Sequence, residues 1–398
     1  MKVHVEPTGR SIEPFGDPPS SALVLDRPLS SWQDEAIASA GLARAGALEP
    51  PCLVVPDALF ASAGALRAFV DGAAGRDAVL VLKDSVFGRK TTPVQPHVVR
   101  VDAGHRFEKV RFVSGRGEPP VDVVVDPDES VLKVPLPSRF ADGGALELPL
   151  PRHPVMTLHH WIHILWANQA AGAMVTRSVP RWKAAARIFL AVARSFSIDK
   201  WEVLARLNRV GRKCDIHPTA VLEGATLGNG VTVGAFARVL FSQIGDGATV
   251  MPGAHVEAST VGARATVAQG TTIRLCVLYP EAIASQETMQ MCLLGRGAVT
   301  TLGSFSMDLN FEREIRVPLD GVLHGTGTRF LGSAFGHGCR VGTGIWLASG
   351  RMVPNGSSVV RDPRDVVSRI PPDLPAGATL ANDGGTLRPV PPRDTPGA

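Results

Sequence analysis

The chain has 398 residues, enough for two domains at the usual ~100–200 residues each. Charged residues make up 20% and the formal net charge is only +4, so no nucleic-acid footprint is implied. Five widely spaced cysteines without a CxxC pair argue against a disulfide framework or a zinc module. With no apolar run of signal-peptide or spanning length, a reducing cytoplasm is the expected compartment.

Residues 1–21 read as a polar, proline-bearing leader. ALVLD (22–26) reads as a first strand. RPLSSWQDEAIASAGLARAGA follows as a helix that Ser30 or Ser31 can cap, with Asp34 and Glu35 suited to its first turn. PPCLVVPDALF (50–60) reads as a second strand ending at Pro56-Asp57, ASAGALRAFVDGAAG as a second helix, and DAVLVLKD (77–84) as a third strand. VDVVVDP and VLKVPLP add further strands or sheet edges. Strands alternating with helices over 22–150 predict a parallel α/β sheet.

Residues 154–213 read as a helical connector built from three apolar or basic stretches. HHWIHILW places His159 and His163 four apart, a spacing that can hold a metal. No acidic residue stands between them and no third ligand is evident, so a packed, aromatic-rich helix is the expectation. The basic stretch 181–196 suits either a membrane surface or packing as a cap on the domain that follows.

From 216 the texture changes. Aliphatic residues fall at Val221, Leu227, Val233, Val239, Ile244, Val250, Val256, Val261, Val267 and Ile273, in steps of six with two steps of five. Most are followed four places on by a small or β-branched residue, and many by a glycine one place on. Such a beat fits neither a 3.6-residue helix nor a two-residue strand period. It fits a chain that turns a corner every six residues, three faces making a triangular coil of about eighteen residues that stacks as a solenoid. The beat stops near 279 and resumes at Phe335, Val341, Leu347, Val353 and Val359, leaving 279–329 as a long inserted loop. Residues 361–398 read as a cap and a flexible tail.

These repeats resemble the hexapeptide-repeat, left-handed parallel β-helix of many acyltransferases, over roughly 216–278 and 330–360. The resemblance implies a homotrimer with acetyl-CoA or another acyl-CoA bound in grooves between helices. It also implies a histidine acting as general base for a sugar amine or hydroxyl. His337, in FGHGCRVGTG, and His324, in LHGTGTRF, are the histidines placed for that role. Gly336, Gly338, Gly342 and Gly344 could contact the cofactor or an oxyanion through their backbone. Arg329, Asp308 and Asn310 are the expected substrate contacts, arginine suiting phosphate and the others suiting sugar hydroxyls.

The N-terminal half is similar, more faintly, to the nucleotidyltransferase half of bifunctional N-acetylglucosamine-1-phosphate uridyltransferases. By that likeness Asp57, at the end of CLVVPD, would hold Mg²⁺ for nucleotide phosphates. That family carries a glycine-rich loop with a basic residue after its first strand. Here the expected first strand, ALVLD, runs into RPLSSW with no glycine.

Overall fold

The computed structural model describes residues 1–135, 145–195, 203 and 206–390. The first strand of the sheet is not ALVLD but Lys2–Glu6, inside the stretch expected to be a leader. KVHVE hides its strand because it alternates: Val3 is fully buried while charged residues face out. ALVLD instead forms a two-residue hairpin, Leu23–Val24 with Arg27–Pro28.

Seven strands make the N-terminal sheet, in the order Val121–Val125, Ala78–Lys83, Gly104–Val113, Cys52–Pro56, Lys2–Glu6 and Ala43–Ala45, with Val98–Val101 also pairing Gly104–Val113. The sheet is mixed, not parallel as expected. Lys2–Glu6 pairs parallel with both neighbours, but Gly104–Val113 runs antiparallel between Cys52–Pro56 and Ala78–Lys83. GHRFEKVRFV, half polar, carries too weak an apolar signal to announce a central strand.

Among the described residues the α-helices are α1 (Leu29–Ser39), α2 (Ala63–Ala73), α3 (Val86–Thr91), α4 (Trp161–Arg177) and α5 (Arg181–Ser195), with isolated helical residues at 203 and 206. Pro28, not Ser30 or Ser31, occupies the N-cap of α1, and Asp34 and Glu35 fall beyond its first turn. Ser62 caps α2 by accepting the Ala65 N–H. The region expected to be a connector belongs largely to this domain. Val155–Thr157 pairs with Leu59–Ala61, and α4 buries Trp161, Ile162, Ile164 and Leu165 in the core. The third expected helix, 201–213, falls mostly outside the described residues at its start. At its end Arg209–Val210 is already a strand of the solenoid.

The C-terminal half is a stack of short parallel strands forming three ladders, consistent with a parallel β-helix. Leu227, Val233, Val239, Ile244, Val250, Val256, Val261, Val267 and Ile273 are all buried, as the beat requires. Each full burial of this kind contributes roughly 1.5–3 kcal/mol. Val221 is the exception. It is exposed, and its neighbour Leu222 aligns with Val239 instead.

Partners on the first coils are 17 residues apart, as in Thr226↔Gln243↔Thr260↔Val277, with 16 at Thr272↔Thr288 and 18 at Ala334↔Met352. The shortened side of each coil turns on one residue with positive φ: Phe241, Ala258 and Leu275 occupy it in turn. Each donates its N–H to the coil before, to Glu223, Leu240 and Glu257 respectively. A coil-to-coil hydrogen bond therefore accompanies a backbone conformation that L-residues otherwise avoid.

The stack does not stop at 279. Ile283–Ala284, Thr288–Gln290, Leu293–Leu294, Val299–Thr300 and Phe305–Ser306 continue it. Ala284, Thr300 and Ser306 take three of the inward places there, alongside the buried Met289 and Leu294, so the aliphatic beat thins while the geometry persists. The true excursion runs over 307–332 and contains a hairpin, Arg316–Leu319 with Val322–Gly325. Beyond the last coil, Leu380–Asp383 and Thr386–Pro389 form a hairpin where a flexible tail was expected; 391–398 lie outside the described residues.

One face of the solenoid is covered by the sheet domain. Its outward residues change from Thr226 and Gln243 to Val277, Leu293 and Ala334, which join the core cluster of the N-terminal half.

Candidate functional site

His337 lies at a corner of the coil that follows the excursion, against the N-terminal domain. Its Nδ1 accepts the backbone N–H of Arg296 at 2.8 Å, which puts the ring proton on Nε2. Nε2 lies 3.1 Å from Asp17 Oδ2, and Arg296 Nη1 reaches the same carboxylate oxygen at 2.7 Å. Phe15 and Tyr279 flank the imidazole, with ring centroids 5.0 and 6.1 Å away. The Tyr279 hydroxyl accepts the Leu23 N–H, and Asn355 links the His337 N–H to the Phe15 carbonyl. Burial works to raise the Asp17 pKa, but the hydrogen bonds from His337 and Arg296 outweigh it and hold the carboxyl below its ordinary value. Both ring nitrogens of His337 are thus engaged, and the residue joins the two domains.

The four glycines around it serve the stack. Gly336 and Gly342 donate their N–H groups to Val353 and Val359 on the next coil, and Gly338 and Gly344 donate to Arg296 and Gly303 on the one before. A Cβ at Gly336 would press on the backbone of Asn355, 2.6 Å away.

His324 is exposed on the hairpin of the excursion. Its neighbours Leu323 and Gly325 line a cleft of ≈ 730 Å³ between the excursion and the last coils, and strand alternation turns His324 to the other face. Asn310, Arg313, Arg316 and Arg351 also line this cleft. Asp308 sits half-buried beside it, its pKa raised by burial. Arg329 lines an adjoining cleft and donates to the Phe311 carbonyl at 3.1 Å. The structure therefore groups Asn310 with three arginines that no sequence motif singles out, and separates His337 from them. Those arginines carry no motif; only the fold of the excursion gathers them.

Asp57 ends the strand Cys52–Pro56. Its Oδ1 accepts the Thr8 N–H at 3.0 Å, holding the loop that follows Lys2–Glu6. That loop reads Pro7-Thr8-Gly9-Arg10, and Gly9 has φ +64°. Once Lys2–Glu6 is seen to be the first strand, a glycine and a basic residue do follow it, contrary to the reading based on ALVLD. Glu6, Thr8, Arg10, His97, Lys109 and His159 line a small pocket of ≈ 150 Å³ there. The Thr8 Oγ1 and His159 Nδ1 are buried without a hydrogen-bond partner. Arg10 pairs with Asp320 at the tip of the excursion hairpin, at 2.9 Å.

His163 does not face a metal. Its Nδ1 accepts the N–H groups of His159 and His160, and its Nε2 donates to the Pro93 carbonyl at 2.9 Å. Among the described residues no group of three His, Cys, Asp or Glu could hold a metal ion. No helix among them is long and apolar enough to cross a membrane.

The fold and these sites define a protein with a mixed α/β domain docked on a parallel β-helix. No family model matches the chain, and no curated protein matches it in sequence. Among solved structures it is similar to a Bacillus cereus protein described as a "putative acetyltransferase". The identity is 14% and the TM-score 0.13, over 38% of this chain and 76% of that one. A likeness at that score carries no argument about activity, so the functional reading rests on the chain's own residues.

Proposed function

We propose that the chain transfers an acyl group from an acyl-CoA, acetyl-CoA being the simplest, to an amino or hydroxyl group of a sugar. A left-handed coil and a homotrimer belong to the same proposal. The observation that carries it is the cleft beside the last coils, where Arg313, Arg316 and Arg351 bring three cations to a wall shared with Asn310. Guanidinium groups suit the phosphates of a coenzyme A, and an amide suits a sugar hydroxyl. When bound, the thioester would supply the activated carbonyl. In this reading Asp308, Asn310 and Arg329 orient the sugar, and His324, which faces away from the cleft, takes no part in the proton transfer. Acetyl-CoA should raise the melting temperature of the full chain, and Arg313→Ala should weaken its binding about tenfold, the usual scale for one charge-assisted hydrogen bond. No shift with any acyl-CoA would sink the proposal.

A second reading concerns the N-terminal domain, and the Thr8–Arg10 loop tied to Asp57 favours it. There the domain would bind a nucleotide and join it to a sugar 1-phosphate. Asp57 fits a magnesium ion: one carboxylate oxygen holds the loop, and the other receives no hydrogen bond among the described residues. Mg²⁺ needs only one or two carboxylates when phosphates and water complete its shell. Pyrophosphate release from a nucleoside triphosphate, lost in Arg10→Ala, would support this reading. A chain that binds neither class of ligand would be a non-catalytic scaffold.

A further inference from the structure

Helix α5 leaves its apolar face in the open. Trp182 is 69% and Phe189 75% exposed, with Ile188 and Leu190 about half exposed. Trp182, Ala186, Phe189 and Ala193 are spaced four, three and four apart, so they form one face of an α-helix. Ala191, on the opposite side, is buried, so the helix rests on the protein with its large apolar residues outward.

Charge singles out what fits this face. Lys183 is exposed beside it, and the helix sequence is basic, with arginines at 181, 187 and 194. No aspartate or glutamate occurs between Glu147 and Asp199. The exposed Lys183 ammonium lies 5.2 Å from the Trp182 ring centre, a basic group next to an interfacial aromatic. At 15 residues α5 is about 22 Å long, short of the ~20 residues that span a bilayer. A short helix with aromatic and aliphatic residues on one face, cations beside them and no acids lies flat in a headgroup layer.

We propose that α5 docks the protein on an anionic lipid bilayer. Trp182, Phe189 and Leu190 enter the headgroup–acyl boundary, while Lys183 beside them meets lipid phosphates. The contact is peripheral and reversible. Added salt weakens it by screening the charges.

Flotation of the full chain with vesicles tests this. Phosphatidylcholine vesicles containing a minority of phosphatidylglycerol should carry the protein up; pure phosphatidylcholine should not. Trp182→Ser combined with Phe189→Ser should abolish flotation, and Lys183→Glu should weaken it roughly 30-fold, since it changes two charges near the surface. These positions are exposed, so the melting temperature should hold. No flotation with anionic vesicles, or equal flotation with neutral ones, overturns the proposal. So does loss of oligomer in the double variant without vesicle binding by the wild type, which would make α5 a contact between protein chains.

Discussion

Asp17 and His337 are 320 positions apart, yet Asp17 Oδ2 and His337 Nε2 lie 3.1 Å from each other. Arg296 completes the cluster from the neighbouring coil. This contact fastens the 12–17 loop of the sheet domain to a solenoid corner.

Asp17→Ala should therefore loosen the docking of the two domains. The expected cost is about 1–3 kcal/mol, the penalty for leaving partly buried partners of a charged hydrogen bond unsatisfied. The sign with pH follows from the lowered Asp17 pKa. The carboxylate contributes its stability above its unfolded value of 3.8 and loses it as pH falls through the depressed folded value. Urea unfolding should show a smaller loss between pH 5 and pH 3 in Asp17→Ala than in the wild type (about those limits being set by the carboxylate range); parallel profiles would contradict the latch.

The buried histidines at the start of α4 impose a second, higher acid limit. Burial depresses His159 and His160 to about 3 and His163 to about 4. The neutral forms are also the bonded ones. The Nδ1 atoms of His160 and His163 accept backbone N–H groups, and protonation would turn those acceptors into donors. Unfolded histidine titrates near 6.5, so the unfolded chain takes up protons that the fold refuses. Stability should be full above that pH and fall as pH drops from 6.5 toward 4. Urea midpoints that stay level across this window would contradict the arrangement.

His337→Ala should lower the melting temperature and leave acyl transfer per folded molecule nearly unchanged, since both ring nitrogens are taken up by the contact between the domains. His324→Ala should change neither, because His324 faces away from the arginine-lined cleft. Turnover with any acyl-CoA and a panel of amino sugars measures both. A fall of about 10²–10⁴-fold, the range for removing a general base, in either variant while it stays folded would give that histidine the catalytic role.

Gly104 opens the antiparallel strand at the centre of the sheet with φ +146°. A Cβ there would collide with the Leu82 carbonyl and the Asp84 backbone nitrogen. Those atoms are main chain and cannot swing away. Gly104→Ala should cost more than the ~1–3 kcal/mol of ordinary backbone strain, read as a large fall in melting temperature or loss of soluble protein.

The solenoid was legible because its rule is local. A chain that turns every six residues must bury the same place on each side, and nine inward aliphatics from Leu227 to Ile273 display it. Where Ala284, Thr300 and Ser306 took inward places alongside the buried Met289 and Leu294, the aliphatic beat thinned while the strands stayed paired from coil to coil, and the reading of an interruption at 279 was wrong. The first strand failed for a related reason. Lys2–Glu6 buries one residue deeply and shows charge elsewhere, so its composition is that of a leader. Finding the true strand also moved Gly9 and Arg10 into the place where the N-terminal resemblance expects a glycine and a base.

What the sequence determined by itself was the repeat, because six-residue periodicity and corner glycines are properties of neighbouring residues. Only the tertiary structure decided which candidates meet. His337 reaches Asp17 and Arg296 across the docked domains, and the folded excursion sets Asn310, Arg313 and Arg316 against Arg351 of a later coil. No local pattern encodes such meetings, since each depends on how two separately folded surfaces are pressed together by the apolar area they share.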